Sequence, residues 1–286
     1  MNKRLRRGLI FLLAAVFMAS AAKIVQQTKD YQEGSQLYSE ALQVANLPQI
    51  DVPQGEPEVE LKAEPEPELN TVPEGKPEPE PEVEPKEEEP IQTDPYAQAL
   101  AEADLAALQA VNGDVIGWIS IPGTLVSYPL LQGEDNDYYL RHTWNRVKNS
   151  VGSIVMEHLV SSDLSDFNTL IYGHDMRNGS MFGSLHQYEN MEHWEAHPKV
   201  YITTAAGVYQ YDIFAAYEAK LDEITYGLQI SEPSTKQKFI QHGLDSSVID
   251  TGIIPTEKDR ILTLVTCTGR DYSGRWVVQA VLREPM

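Results

Sequence analysis

From Val115 onward the chain alternates short apolar runs with clusters of Gly, Pro, Asn and Asp, the punctuation of strands rather than of long helices. Residues 115–121 (VIGWISI), a Pro122-Gly123 turn and residues 124–131 (TLVSYPLL) predict a hairpin. Further strands are expected at 152–157, 168–173, 199–204, 208–219, 260–266 and 275–282, with helical pieces at 136–139, 180–188, 192–197 and 234–242. Ahead of them, Asp94-Pro95 reads as an N-cap with proline at the first helical position. It opens an Ala/Leu-rich helix that runs to Val111 and stops at Gly113. Seven or eight short strands in about 190 residues predict a mainly β fold, a mixed and mostly antiparallel barrel with a few peripheral helices.

The N-terminal part has a different pattern. Lys3, Arg4, Arg6 and Arg7 precede an uncharged run at 8–22, which reads as a cleaved signal peptide or a retained anchor. The run is short for a hydrocarbon core, but Lys23 snorkels to the interface and Ile24 and Val25 lengthen the apolar stretch, so a retained anchor is expected. The basic flank then lies in the cytoplasm and the rest outside, on a single-pass protein of the plasma membrane. Residues 23–44 extend as a helix only weakly, because Tyr31, Leu37, Leu42 and Val44 are sparse.

Charge changes the picture in one segment. Residues 51–95 hold 16 Asp or Glu against three Lys, −13 of the net −21, and 11 of the 18 prolines. With almost nothing to bury and strong self-repulsion, this stretch is expected to be disordered and extended, a spacer. The predicted division is an anchor at 1–25, a juxtamembrane segment at 26–50, a Pro/Glu-rich linker at 51–94 and one folded domain at 95–286. Nothing basic clusters outside the N-terminus, which argues against nucleic acid.

The candidate chemistry centres on Cys267, the single cysteine, at the end of an apolar β-branched run. A lone thiol forms no intrachain disulfide and is either a small buried hydrophobe or a nucleophile. Thr263, Val265 and Cys267 share one strand face, and Arg275, Val277 and Gln279 share a face of the next. If those strands pair, Cys267 and Arg275 face one pocket across the loop at 268–274; Arg270 in that loop competes for the role. A thiol works when a cation or a base assists it, and among seven histidines His174, at the exit of an apolar strand, is best placed. His193 and His197 stand four apart around Glu195, yet this is not HExxH and no third ligand is evident, so no metal and no cofactor are expected.

Four pieces, 115–123 (VIGWISIPG), 128–140 (YPLLQGEDNDYYL), 170–182 (LIYGHDMRNGSMF) and 263–267 (TLVTC) with Arg275 after it, resemble the class B sortases in order and nearly throughout the folded domain. The resemblance implies an eight-stranded sortase barrel and a cysteine transpeptidase of the Gram-positive surface. Cys267 is then the nucleophile, His174 the general acid/base and Arg275 the oxyanion stabiliser. Asn136, Leu140 and Val265 match positions lining the family's substrate groove, although Val265 stands where many members carry a hydroxyl, and core packing is an equal reading for Leu140 and Val265. The implied partners are secreted proteins with a C-terminal NPxTx-like sorting signal and the amine of a lipid-linked peptidoglycan precursor. Three alternatives stay open on sequence: a pilin-polymerising sortase with a lysine acceptor, a hydrolytic cysteine peptidase, and a non-catalytic surface domain that buries Cys267.

Overall fold

The computed structural model describes residues 3–48, 94–267 and 274–283. The linker expected at 51–94, apart from Asp94, and Arg270 with its loop lie outside them. Eight strands close into a barrel: β1 (Val115–Ser120), β2 (Ser127–Leu131), β3 (Ile154–Met156), β4 (Asn168–Tyr172), β5 (Lys199–Thr204), β6 (Gly207–Lys220), β7 (Ile261–Cys267) and β8 (Gly274–Leu282). Around the barrel the order is β1-β2-β3-β4-β7-β8-β6-β5. Every neighbour pair is antiparallel except β2 with β3 and β4 with β7, which run parallel. The expected mixed, mainly antiparallel barrel is therefore what forms.

The strands are buried almost continuously because both of their faces are covered. On β7 and β8, Leu262, Leu264, Trp276, Val278 and Ala280 join the cluster filling the barrel, while Ile261, Val265, Val277 and Val281 join a second cluster outside it. That second cluster is closed by Phe239 and Ile240 of the helix Pro233–Ser246, so the outer face of β6, β7 and β8 is roofed by the segment joining β6 to β7. Alternation along each strand thus sorts one side chain inward and the next toward the roof.

The helices depart from expectation in three places. The run expected as one helix over 95–111 is two, α2 (Pro95–Ala101) and α3 (Leu105–Val111), because Asp104 accepts from the Ala107 N–H at 2.9 Å and starts a second helix. Asp94 caps the first as predicted, accepting from the Tyr96 N–H at 2.9 Å. The pieces near 138 and 183 are 3-10 turns, Tyr138–Leu140 and Gly183–Glu189, rather than α-helix.

The third departure is the N-terminal helix α1 (Lys3–Val44), whose last turns dock on the barrel. Tyr38, Ala41, Ala45 and Leu47 are buried, with Tyr38 set edge-on to Tyr128 at 5.1 Å between ring centres. The Trp144 indole donates to Leu37 O at 2.9 Å and the Asn149 amide to Asp30 O at 3.1 Å. Small alanines at helical spacing make this contact, which a scan for large apolar residues overlooks. Among the described residues no helix is long and apolar enough to cross a membrane; the start of the run expected as an anchor lies outside the described side chains.

A histidine pair sets one pH response. On α4 (Met191–Ala196), His193 packs edge-on to Tyr188 and against His197, each 4.7 Å between ring centres, and its Nε2 is buried with no hydrogen-bond partner among the described residues. Burial, and then His197, hold the His193 imidazole down to about 4. The unfolded chain takes up this proton near ~6.5, so folding stability is complete above that pH and falls as pH drops from ~6.5 toward 4. Melting temperatures at pH 7.5 and 5 should therefore differ in the wild type, and His193→Phe should shrink the difference; an unchanged acid slope in that variant refutes the assignment. His197 is held by its Nδ1, which donates to Pro122 O at 2.9 Å. Among the described residues no group of three His, Cys, Asp or Glu could hold a metal.

Candidate active site

Cys267 ends β7 and Arg275 follows the first residue of β8, and the two are direct cross-strand partners. Opposed residues in an antiparallel pair project from the same face, so thiol and guanidinium stand side by side on the roofed face, above the Val265–Val277 pair. Both side chains are half-buried. The cysteine is a free thiol.

His174 arrives from the other side of β7. Strand β4 runs parallel to β7 with Tyr172 beside Val265, and the ladder continues with Gly173 N–H donating to Val265 O at 3.1 Å. Two residues past Tyr172 is His174, and two past Val265 is Cys267, so the alternation that puts Tyr172 over Val265 puts His174 level with Cys267. Its Nε2 donates to Leu140 O at 2.8 Å, which fixes the orientation of the ring and leaves Nδ1 as the other ring nitrogen. The structure thus pairs Cys267 with Arg275 across β7 and β8, and His174 follows two residues after the end of β4, the parallel neighbour of β7.

The chain is similar to known proteins over most of the barrel domain. The family model described as Sortase domain matches residues 119–283. The chain belongs to the sortase family. It is 38% identical over 181 residues to sortase B of Listeria monocytogenes, covering 63% of this chain and 74% of that protein. Among solved structures it is similar to a Staphylococcus aureus sortase B–substrate complex, with TM-score 0.60, 29% identity and coverage of 66% of this chain and 86% of that one. It is also similar to sortase B complexed with triglycine, with TM-score 0.60, 31% identity and coverage of 63% and 85%. The protein is thus a sortase B-type cysteine transpeptidase with the family's barrel.

In this sortase the three residues expected along the substrate groove are placed differently from one another. Leu140 is 42% exposed, and its carbonyl is the acceptor for His174. Asn136 is committed internally, its amide donating to Glu157 Oε2 at 2.7 Å and its carbonyl oxygen accepting from the His158 N–H at 3.0 Å. Val265 is 2% exposed and packs under Cys267 with Val277.

Three supporting side chains are not singled out by the sequence. Buried Glu157 accepts from the Tyr172 hydroxyl at 2.9 Å as well as from Asn136, tying the loop before Leu140 to the strand that carries His174. Tyr226, on the short turn Ile224–Tyr226 of the roof, packs on the Val265 and Val277 cluster, and its buried hydroxyl has no partner among the described residues. Burial pushes that phenol up to about 12, opposed by the Arg275 cation. His186 reaches Cys267 from the opposite side. Each depends on contacts far apart in sequence, so only a polar or aromatic residue in a loop was there to notice.

Gly152 is the tightest point around His174. It sits at φ +62°, and a Cβ there would lie 2.8 Å from His174 Cδ2, 2.8 Å from Tyr139 O and 2.9 Å from Leu140 O. Gly152→Ala should therefore displace both the imidazole and the carbonyl that orients it. We expect kcat/KM to fall ~10-fold or more while the fold loses about 1–3 kcal/mol. Peptide-cleavage kinetics beside a urea titration check it, and unaltered kinetics would show that His174 has room the geometry denies.

Proposed function

We propose that this sortase cuts a C-terminal sorting signal of the NPxTx kind in secreted proteins and transfers the new carboxyl end to an amine of a lipid-linked peptidoglycan precursor. The observation that carries the reading is the Cys267–Arg275 cross-strand pair, with His174 two residues past the end of β4, whose last residue Tyr172 pairs with Val265 two residues before Cys267. In this reading the Cys267 sulfur attacks the scissile carbonyl and Arg275 stabilises the oxyanion with charge and a planar pair of donors. The C–N bond breaks as His174 gives a proton to the leaving amine, and a thioester remains on Cys267. An acceptor amine then attacks the thioester, His174 takes its proton, the C–S bond breaks, and the Cys267 thiolate is regenerated beside the imidazolium. Atoms balance with no cofactor.

Support for the substrate classes comes from the relatives, one of which is a substrate complex and another a triglycine complex of sortase B. Support for a location at the outer membrane face comes from the sequence, where four basic residues precede the uncharged run at 8–22. The half-buried thiol, neither sealed in the core nor wide open, is what a covalent intermediate awaiting an amine requires.

The test is a fluorogenic NPxTx peptide with and without triglycine, with products weighed by mass spectrometry. A product extended by three glycines is expected. A product that always ends in a free carboxylate, whatever amine is supplied, would make the protein a hydrolase.

A further inference from the structure

The short 3-10 segment Gly183–Glu189 lies behind the strand ends, on the face opposite the thiol, and presses closely on the chain after His174: a Cβ on Gly183 would lie 2.3 Å from Met176 O. From this segment His186 reaches three places. Its Nε2 is 3.0 Å from the carbonyl oxygen of Cys267. The same nitrogen is 3.7 Å from Asp175 Oδ2, and the ring stacks on Trp276 with 5.5 Å between centres and 28° between planes. Trp276 in turn donates its indole N–H to Leu185 O at 2.7 Å, so the stack is held from both sides.

A carbonyl oxygen only accepts, so Nε2 carries the proton and donates it to Cys267 O. At 3.7 Å the Asp175 carboxylate is outside hydrogen-bond range and acts through its charge, favouring a donor nitrogen there. The partners are not scattered. They are Cys267 itself, the residue directly after His174 and the residue directly after Arg275. One imidazole thus contacts the backbone neighbourhood of all three groups that the proposed mechanism uses. It does so at Cys267, the last described residue of β7.

We infer that His186 is a positioning residue, which locks the last peptide of β7 and sets thiol, imidazole and guanidinium relative to one another without touching substrate. A displacement of about 1 Å at such a site costs on the order of 10²-fold in rate, and a lost neutral hydrogen bond about tenfold. The effect falls on kcat because the contact is to the peptide of the nucleophile itself. Glutamine at 186 supplies a donor at similar reach, whereas phenylalanine keeps the stack on Trp276 and removes the donor.

The inference rests on the proposed function, and its experiment has a substrate-free arm. Full-chain wild type, His186→Phe and His186→Gln are compared for NPxTx cleavage with triglycine, for alkylation of Cys267 by iodoacetamide, and for melting temperature. His186→Phe should lower kcat ~10-fold with KM within about twofold and slow alkylation ~3-fold or more, while His186→Gln stays within about threefold of wild type in both. Wild-type kcat and alkylation in His186→Phe overturn the inference, as do equal losses in both variants that follow their melting temperatures. A wild type that cleaves no NPxTx peptide counts against the proposed function alone, since the alkylation rates still decide the role of His186.

Discussion

Cys267→Ala should leave no measurable cleavage of an NPxTx peptide, a loss of ~10⁴-fold or more in kcat/KM. The chain has one cysteine, so no other thiol replaces it. Without the sulfur there is no covalent intermediate, and the transfer would have to proceed by direct attack of one amine on a peptide bond. His174→Ala should be nearly as severe, because a thiol without a base is mostly protonated at neutral pH and the leaving amine lacks its proton. The variants are separable by mass spectrometry. An acyl adduct should form on Cys267 in the wild type, slowly in His174→Ala, and never in Cys267→Ala. Retained cell-wall anchoring by a Cys267→Ala strain would instead make the barrel a binding domain with an inert thiol.

Arg275→Ala should lower kcat/KM by ~10²- to 10³-fold, the range seen when one oxyanion donor is removed. Arg275→Lys should recover little of that. The guanidinium is fixed at the strand start, where its Nη1 donates to Gly274 O at 2.9 Å, and its planar fork presents further donors in a set direction. Lysine keeps the charge but has one tetrahedral head on a longer flexible stem. Its thiol partner would keep electrostatic help and lose the aimed hydrogen bonds. The measurement is steady-state kinetics with the same peptide, read beside melting temperature to exclude unfolding. Turnover within a few-fold of wild type in Arg275→Ala would move the oxyanion role to another donor, with Arg270 first in line.

Much of the barrel was legible in the sequence because its strands are short, rich in β-branched and aromatic residues and bounded by turn residues. The six strands expected after the first hairpin appear within a few residues of their expected ends. The break between α2 and α3 was also written there, in Asp104, but a helix read by its Ala and Leu content runs through such a cap. The docking of α1 was not legible, since Ala41 and Ala45 carry little hydropathy and matter only because the barrel surface comes close. Asn136 shows the same limit at the site: its side chain is matched to a groove position, yet its hydrogen bonds go to Glu157 and His158 across about twenty residues.

What the sequence determined by itself was the chemistry available and half of its geometry: one thiol, an arginine eight residues on, and an alternation that puts both on one face if the strands pair. That follows from the period of two in a strand, which is local. The tertiary structure decided the rest. Parallel pairing of β4 with β7 sets Tyr172, two residues before His174, beside Val265, two residues before Cys267, and this is a matter of register between segments 93 residues apart, which no local propensity specifies. It also decided that His186, rather than any residue near in sequence, closes the Cys267 carbonyl from behind, a contact spanning 81 positions. Such contacts arise only when the barrel closes, because closure is what brings distant strand ends and the turns between them to one place.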